Sequence, residues 1–484
     1  MASKISDSPR PLSLLQTRQT AGSKDARAAT SNKPAGKDLG WNKDTFETRP
    51  ATCKLPVPTT PTTPVPVDTT PKPTDPTKPT DPSAPTEPTT PTEPEQPPVS
   101  SLPDADPMTH IAYLSSDELQ GRDSPSPGLD AASAYVQAHV QKYGLVGPNV
   151  NNPENPYQQK FDVFSWVGKP GAARSDEAHQ GHKQFGHQLF EEGFYLEEGM
   201  PKETLTKLNR QYESAMKAEG QPAVAARNGK QRSVEELKAL AEESGQAVNT
   251  LALLPGSGPH KDEVIVVMAH LDHVGTDRKG NVHNGADDNA SGSAVLMAAV
   301  PELAEAAKKG ELDRSVLFIW TGAEEKGLVG SQYFVDHPIP GLGTEDIAGV
   351  INVDMVGRWD DQRLSVVDTN RRGQPNYFRD LVDQANAKLA DPFDRINKDI
   401  NQYRDRQDGA SFGDKGEDVL FMFEGLSNPK GGGDLIPEYH EPGDDIDLIV
   451  RDNGGEKPRR IKDLMLNVIE LAANRVVEEP AAKK

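Results

Sequence analysis

Five short apolar runs do most to limit what this chain can fold into. They are residues 264–268 (VIVVM), 315–320 (SVLFIW), 349–353 (GVINV), 364–367 (LSVV) and 419–423 (VLFMF). Each has strand length and is rich in β-branched or aromatic side chains, and none shows the alternation of a strand with one wet face. Strands this apolar are buried on both sides, which requires a mainly parallel sheet with covering layers. Residues 290–309 and 376–388 lie between the runs and carry helical spacing, as does 130–143, where Ala131, Tyr135, Val136, His139 and Val140 share a face. The expected fold is therefore α/β, a three-layer sandwich around a mainly parallel central sheet.

The rest of the 484 residues sorts by composition. Residues 1–54 are rich in Ser, Thr, Lys and Ala without a period and read as a disordered N-terminal segment. Residues 55–100 are dominated by Pro and Thr, with near-repeats such as KPTDP at 72–76 and 78–82. Proline this dense removes backbone donors, so the stretch reads as an extended linker at ~3 Å per residue. The folded domain is expected over 101–484, interrupted at 171–245 by a polar insertion. In that insertion Leu205, Leu208, Tyr212 and Met216 recur on one helical face, and Ser233 with Glu236 forms a capping box. It reads as a helical lid resting on the α/β domain. His179, His182 and His187 within it are expected to be exposed polar residues, because their spacing fits no ordinary metal motif.

Charge and cysteine content narrow the chemistry. A net charge of -21 opposes a nucleic-acid or anionic-membrane surface, and no apolar run approaches the ~18 residues that a membrane span needs. Cys53 is the single cysteine, so thiolate metal sites and intrachain disulfides are excluded. Residues 11–15 (PLSLL), behind Lys4 and Arg10, are too short and broken for the apolar core of a secretory signal. The expectation is a cytoplasmic chain, one exported by another route, or one whose start in the cell differs.

Five segments carry the candidate chemistry: AHLD at 269–272, GADDN at 285–289, GAEE at 322–325, NVDM at 352–355 and YHEP at 439–442. Three directly follow or end an apolar run, and ligands in open α/β sheets bind beyond the carboxyl ends of the strands. Two imidazoles with several carboxylates and no thiolate suit a pair of divalent ions, zinc being the expected metal.

In the longer forms AHLDHVG, NGADDNASGSA, WTGAEEKGLVGS, INVDMVGR and YHEPGDDID, these segments resemble the metal-binding blocks of the M28 family of co-catalytic zinc peptidases. IAYLSSDELQGRDSPSPG at 111–128 is similar to the start of that family's catalytic domain. The resemblance implies that Asp287 bridges two zinc ions, that Glu325 and His440 complete one site, and that His270 and Asp354 complete the other. Asp272 would accept the His270 ring N–H, and Glu324 would be the general base, off the metals. It also implies a cis peptide at 287–288. One departure stands out: where the family often has Ser-Asp-His, this chain has residues 407–412 (QDGASF), so the substrate contacts of that block do not carry over. His273 and His283 read as lining the mouth of the site.

The expected activity is that of a dinuclear zinc exopeptidase acting on peptides, most simply an aminopeptidase. A carboxypeptidase or other amidohydrolase and a glutaminyl-cyclase-like enzyme are the alternatives on the same fold. A receptor-like domain that has lost catalysis should lack a ligand or the base, and here every one is present.

Overall fold

The computed structural model describes residues 104–166, 193–218, 222–241, 243–277, 280–360, 362–427 and 435–475. The N-terminal segment, the Pro/Thr linker, Cys53 and the three insertion histidines lie outside the described residues. In chain order the strands are β1 (Gln158–Ser165), β2 (Gly193–Phe194), β3 (Glu243–Leu254), β4 (Val264–His270), β5 (Ser315–Thr321), β6 (Ile347–Asp354), β7 (Arg363–Val367), β8 (Arg395–Asn397) and β9 (Val419–Phe423). Among the described residues they form one sheet in the order β2-β1-β3-β5-β4-β6-β9-β7-β8.

The centre of the sheet follows from the apolar runs. Strands β5, β4, β6 and β9 are parallel neighbours, and β4 and β5 are buried along their whole length. Alternate residues serve opposite layers. Ile265, Val267 and Ala269 join the helices Pro127–Lys142, Gly292–Lys308, Phe378–Lys388 and Glu456–Ala473 in one large cluster. Val264, Val266 and Met268 face Phe334 and Phe412, carried by the helices Val329–Asp336 and Gly409–Lys415. Each fully buried Val, Leu or Ile contributes ~1.5–3 kcal/mol, so this double-sided burial fixes the register of the four strands.

The flanks depart from a parallel pattern. Strand β7, which the apolar run at 364–367 placed in the parallel set, pairs antiparallel with β9, and β3 pairs antiparallel with β5. A buried strand reads the same in either direction, so apolar content cannot give polarity.

The insertion occupies a defined place. Strands β1 and β3 pair from Gln158–Thr250 to Ser165–Glu243, while β3 meets β5 only from Thr250, opposite Trp320, onward. The β1–β3 ribbon thus extends beyond the carboxyl end of β5, and the insertion springs from its tip. The predicted helical face is present on Lys202–Ala218, and the capping box at Ser233 opens the short helix Val234–Lys238. The segment has a small core of its own, in which Trp166 at the end of the ribbon packs with Phe194, Leu196, Leu208, Tyr212, Val234 and Leu237. Contact with the α/β domain includes Tyr195, which clusters with Phe161, Ala247, Ala323 and Val329, and the Glu197–His337 pair at 2.7 Å.

Candidate metal centre

Parallel strands deliver the candidate ligands to one edge. His270 closes β4, Asp354 closes β6, and Glu324 and Glu325 follow β5 after a two-residue turn. The turn 284–291 and the loop around His440 complete the ring. Backbone strain concentrates here: Ala323, Met355 and His440 all have positive φ (58°, 50° and 56°) without being glycine. Such conformations cost ~1–3 kcal/mol each and persist where the surroundings over-determine them.

The donor atoms of His270, Asp288 and Asp354 converge in one group, and those of His273, Asp288, Glu325 and His440 in a second that overlaps it. His270 Nε2 lies 3.3 Å from Asp288 Oδ1 and 3.3 Å from Asp354 Oδ1. His440 Nε2 lies 3.1 Å from Asp288 Oδ2 and 2.8 Å from Glu325 Oε2. The Asp288 carboxylate belongs to both groups, one oxygen in each. Glu324, partly accessible, has a carboxylate oxygen within 4.8 Å of donor atoms of His270 and Glu325.

Four residues and one peptide bond differ from expectation. The shared carboxylate is Asp288, and Asp287 is turned away. Asp287 Oδ1 accepts from the Gly357 amide at 2.7 Å, in the field of Arg358. Adjacent side chains in this tight turn point in opposite directions, and spacing alone could not say which aspartate faces the strands. The cis bond likewise falls one residue later, at Asp288–Asn289. Asp272 is buried beside His270, but its carboxylate stands 4.0 Å from the ring, and the contact at 3.1 Å is its backbone carbonyl. The Asp272 carboxylate instead accepts the amides of Glu324 (3.1 Å) and Glu325 (3.3 Å). Finally, His273 and His283 do not line a mouth. Both are buried; His273 Nδ1 is 2.9 Å from Glu325 Oε1, and His283 Nδ1 is 3.0 Å from the His440 carbonyl oxygen.

Two residues that sequence reasoning left without a role prove central to the architecture. Arg122 is buried and donates to the carbonyls of Leu271 (2.8 Å), Asn284 (2.8 Å) and Gly285 (3.1 Å), joining the β4 loop to the Asp288 turn. Asp444 holds the same turn from the other side. Both fall inside segments singled out in the sequence, GRDSPSPG and YHEPGDDID, but neither has ligand spacing. Glycine is required at two points in the turn. A Cβ on Gly285 (φ +56°) would meet the His273 ring at 2.6 Å, and one on Gly292 would meet the Val353 carbonyl oxygen at 2.3 Å.

Electrostatics show what the centre is built to hold. Burial alone would lower the imidazoles, yet the surrounding carboxylates, Glu325 foremost, raise His440 to about 10. Burial would raise Asp288, but the facing imidazoles of His270, His440 and His273 hold it well below the carboxylate range. Burial does prevail at Glu324, whose carboxyl is raised well above its ordinary value, with Glu325 adding to the effect and His270 opposing it. A field that draws protons onto buried imidazoles also draws a divalent cation. Asp288 Oδ2 is buried without a hydrogen bond of good geometry, as expected of an oxygen reserved for a metal. The carboxylate and imidazole donor set therefore fits zinc.

Fold and site together define an α/β domain with a buried His/carboxylate centre, suited to a metal ion, at the carboxyl edge of its sheet. The model of peptidase family M28 matches residues 249–468 of this chain. Aminopeptidase YwaD of Bacillus subtilis (strain 168) is 28% identical over 252 residues, covering 51% of this chain and 49% of that protein. A probable leucine aminopeptidase of Arthroderma otae is 27% identical over 202 residues, 41% of this chain and 51% of that one. The chain thus spans about half the length of these curated relatives. The solved aminopeptidase from Aneurinibacillus sp. strain AM-1 superposes with a TM-score of 0.49 at 18% identity, over 79% of this chain and 97% of that chain.

Proposed function

We propose that this chain is a zinc exopeptidase holding two ions, and that it removes N-terminal residues from peptides. The observation that carries the reading is the Asp288 carboxylate, with one oxygen 3.3 Å from His270 and the other 3.1 Å from His440. One ion would be held by His270, Asp288 and Asp354, the other by Asp288, Glu325 and His440. When bound, such ions polarise the scissile carbonyl and make water acidic enough to attack near neutral pH. The protein's own contribution is proton management and position. Glu324 would accept the proton of the attacking water and return it to the departing amine, a task suited to a carboxyl raised by burial. Asp272 fixes the peptide groups of Glu324 and Glu325, so base and ligand are aimed together.

The insertion is proposed to limit access. It rises from a ribbon that overhangs the site edge, and the Gly193 amide donates to the Lys326 carbonyl at 2.6 Å, one residue beyond Glu325. The 171–245 boundaries, the linker at 55–100 and the N-terminal segment 1–54 remain part of this reading. The names of the relatives, aminopeptidase and probable leucine aminopeptidase, support the amino-terminal polarity. The test is zinc titration of the apoprotein beside hydrolysis of aminoacyl-nitroanilides and of peptides blocked at either end. Activity on N-acetylated but not on free-amine peptides would overturn the aminopeptidase reading.

A further inference from the structure

Asp444 is buried, makes no contact of its own with the converging donor atoms, and yet is tied to the residue that joins the two groups. Its Oδ1 accepts the Asp287 amide and its Oδ2 the Asp288 amide, both at 2.9 Å, while its backbone carbonyl accepts the Ala286 amide at 3.0 Å. Three consecutive peptide groups are therefore held by one residue. Asp444 also stands four positions after His440, in the same loop, where its own amide donates to the Glu441 carbonyl at 3.1 Å.

We propose that Asp444 is the positioning residue for the metal-bridging carboxylate, setting Asp288 between His270 and His440. This rests on the two-ion reading above. A carboxylate that grips two successive N–H groups, one per oxygen, fixes the peptide plane between them and with it the direction of the Asp288 Cα–Cβ bond. Without that grip the turn could present Asp287 as easily as Asp288. Because the grip lies on the His440 loop, it also sets the distance from the turn to His440. Asp272 applies the same device to Glu324 and Glu325 on the opposite side of the site. The two clamps differ in reach. Asp288 faces both His270 (3.3 Å) and His440 (3.1 Å), while Glu325 pairs with His273 (2.9 Å) and His440 (2.8 Å), so loss of the Asp444 clamp acts on both ions.

A role confined to folding would also lower stability when Asp444 is removed, so the decisive readout is metal affinity. Zinc binding to the apoproteins is measured by chelator competition, with far-UV circular dichroism, for wild type, Asp444→Ala, Asp444→Asn and Asp368→Asn. The last is a control: Asp368 is a buried carboxylate paired with Arg379 and Lys398, away from the centre. Wild type should bind two ions. Asp444→Ala should bind both about 10–100-fold more weakly, the scale seen when residues that orient ligands are lost. Asp444→Asn, with one carbonyl oxygen left to accept, should fall between. Asp368→Asn should bind zinc as wild type does, whatever its melting temperature. Two tightly bound ions in Asp444→Ala, or weakening no greater than in Asp368→Asn, would overturn the clamp while leaving the centre intact. If Asp444→Ala fails to fold, the same criteria apply to Asp444→Asn. A wild-type chain that binds no zinc would overturn the two-ion reading itself.

Discussion

The carboxyl edge of the sheet and the insertion that rises beside it differ in what holds them most. At the edge, ligand-bearing backbone is held by buried side chains: Arg122 on the carbonyls before the Asp288 turn, Asp444 on its amides, Asp272 on the amides of Glu324 and Glu325. The insertion is held by an apolar cluster with one buried polar knot, Arg232 on Asn209 and Glu213, and it meets the α/β domain through the Gly193–Lys326 hydrogen bond, the packing of Tyr195 near Ala323, the Tyr195 hydroxyl on Asp336 and the Glu197–His337 pair. Charged hydrogen bonds fix direction, which a metal site needs. Apolar contacts fix proximity and tolerate sliding, which suffices for a wall that admits some substrates and not others.

The largest effect should come from the chemistry alone. Glu324→Gln keeps shape and metal but cannot take a proton, so kcat should fall ~10²–10⁴-fold with zinc content unchanged. Full activity in a zinc-replete variant would remove Glu324 from the role of base. Next comes the rigid region's own support. Arg122→Met leaves three carbonyls of the β4 loop and the Asp288 turn without their donor, and should cost about 3–5 kcal/mol in urea unfolding. The cluster around Leu237 should keep its contacts in this variant, as judged by hydrogen exchange of the helix Lys202–Ala218. A loss of protection there equal to that at the edge would mean the two regions are one cooperative unit.

Acid should also strike the rigid side first. The helix Pro107–Leu114 packs on the Asp288 turn through Met108, Ile111 and Ala286, and its His110 is buried between Tyr135 and the Asp104 carbonyl. Burial, aided by His139 nearby and opposed by Asp104 and Asp106, lowers His110 from 6.5 to about 4. The folded state thus binds this proton less readily than the unfolded one. Stability should be full above pH 6.5 and decline as pH falls toward 4, by about 3 kcal/mol from this group. Replacing His110 with Gln should flatten that part of the urea profile; an unchanged slope between pH 6.5 and 4 would contradict it. The smallest effect is reserved for the insertion. Exchanging 174–244 for a Gly/Ser linker should leave zinc binding intact and change KM several-fold in favour of longer peptides, read as kcat/KM on di-, tetra- and decapeptides. Equal losses at every length, with zinc lost as well, would place the insertion in the structural core.

What the sequence conveyed divides along the same line. The four central strands were legible because burial on both faces leaves an unbroken apolar run, and the helix Lys202–Ala218 because its apolar residues repeat with helical period. Strand β1 (QQKFDVFS) alternates but is polar, and passed unnoticed; strand β7 was seen without its direction. At the centre, His270, Glu325, Asp354 and His440 stand where strand ends and loops were expected to put them. Choosing between Asp287 and Asp288 requires the turn's backbone, which depends on Asp444, 156 residues away from Asp288. The roles of Arg122 and Asp444 were invisible for the same reason: a side chain that holds backbone leaves no pattern in spacing.

The central claim is that Asp288, and not its neighbour, joins two metal sites. Zinc stoichiometry of purified Asp288→Ala beside Asp287→Asn, by atomic absorption after exhaustive dialysis against trace zinc, tests it most directly. The account predicts that Asp287→Asn keeps two ions per chain, because its Oδ1 accepts from the Gly357 amide and Ser291 and not from the imidazoles, and that Asp288→Ala retains fewer than one. Two ions in Asp288→Ala with loss in Asp287→Asn would contradict it.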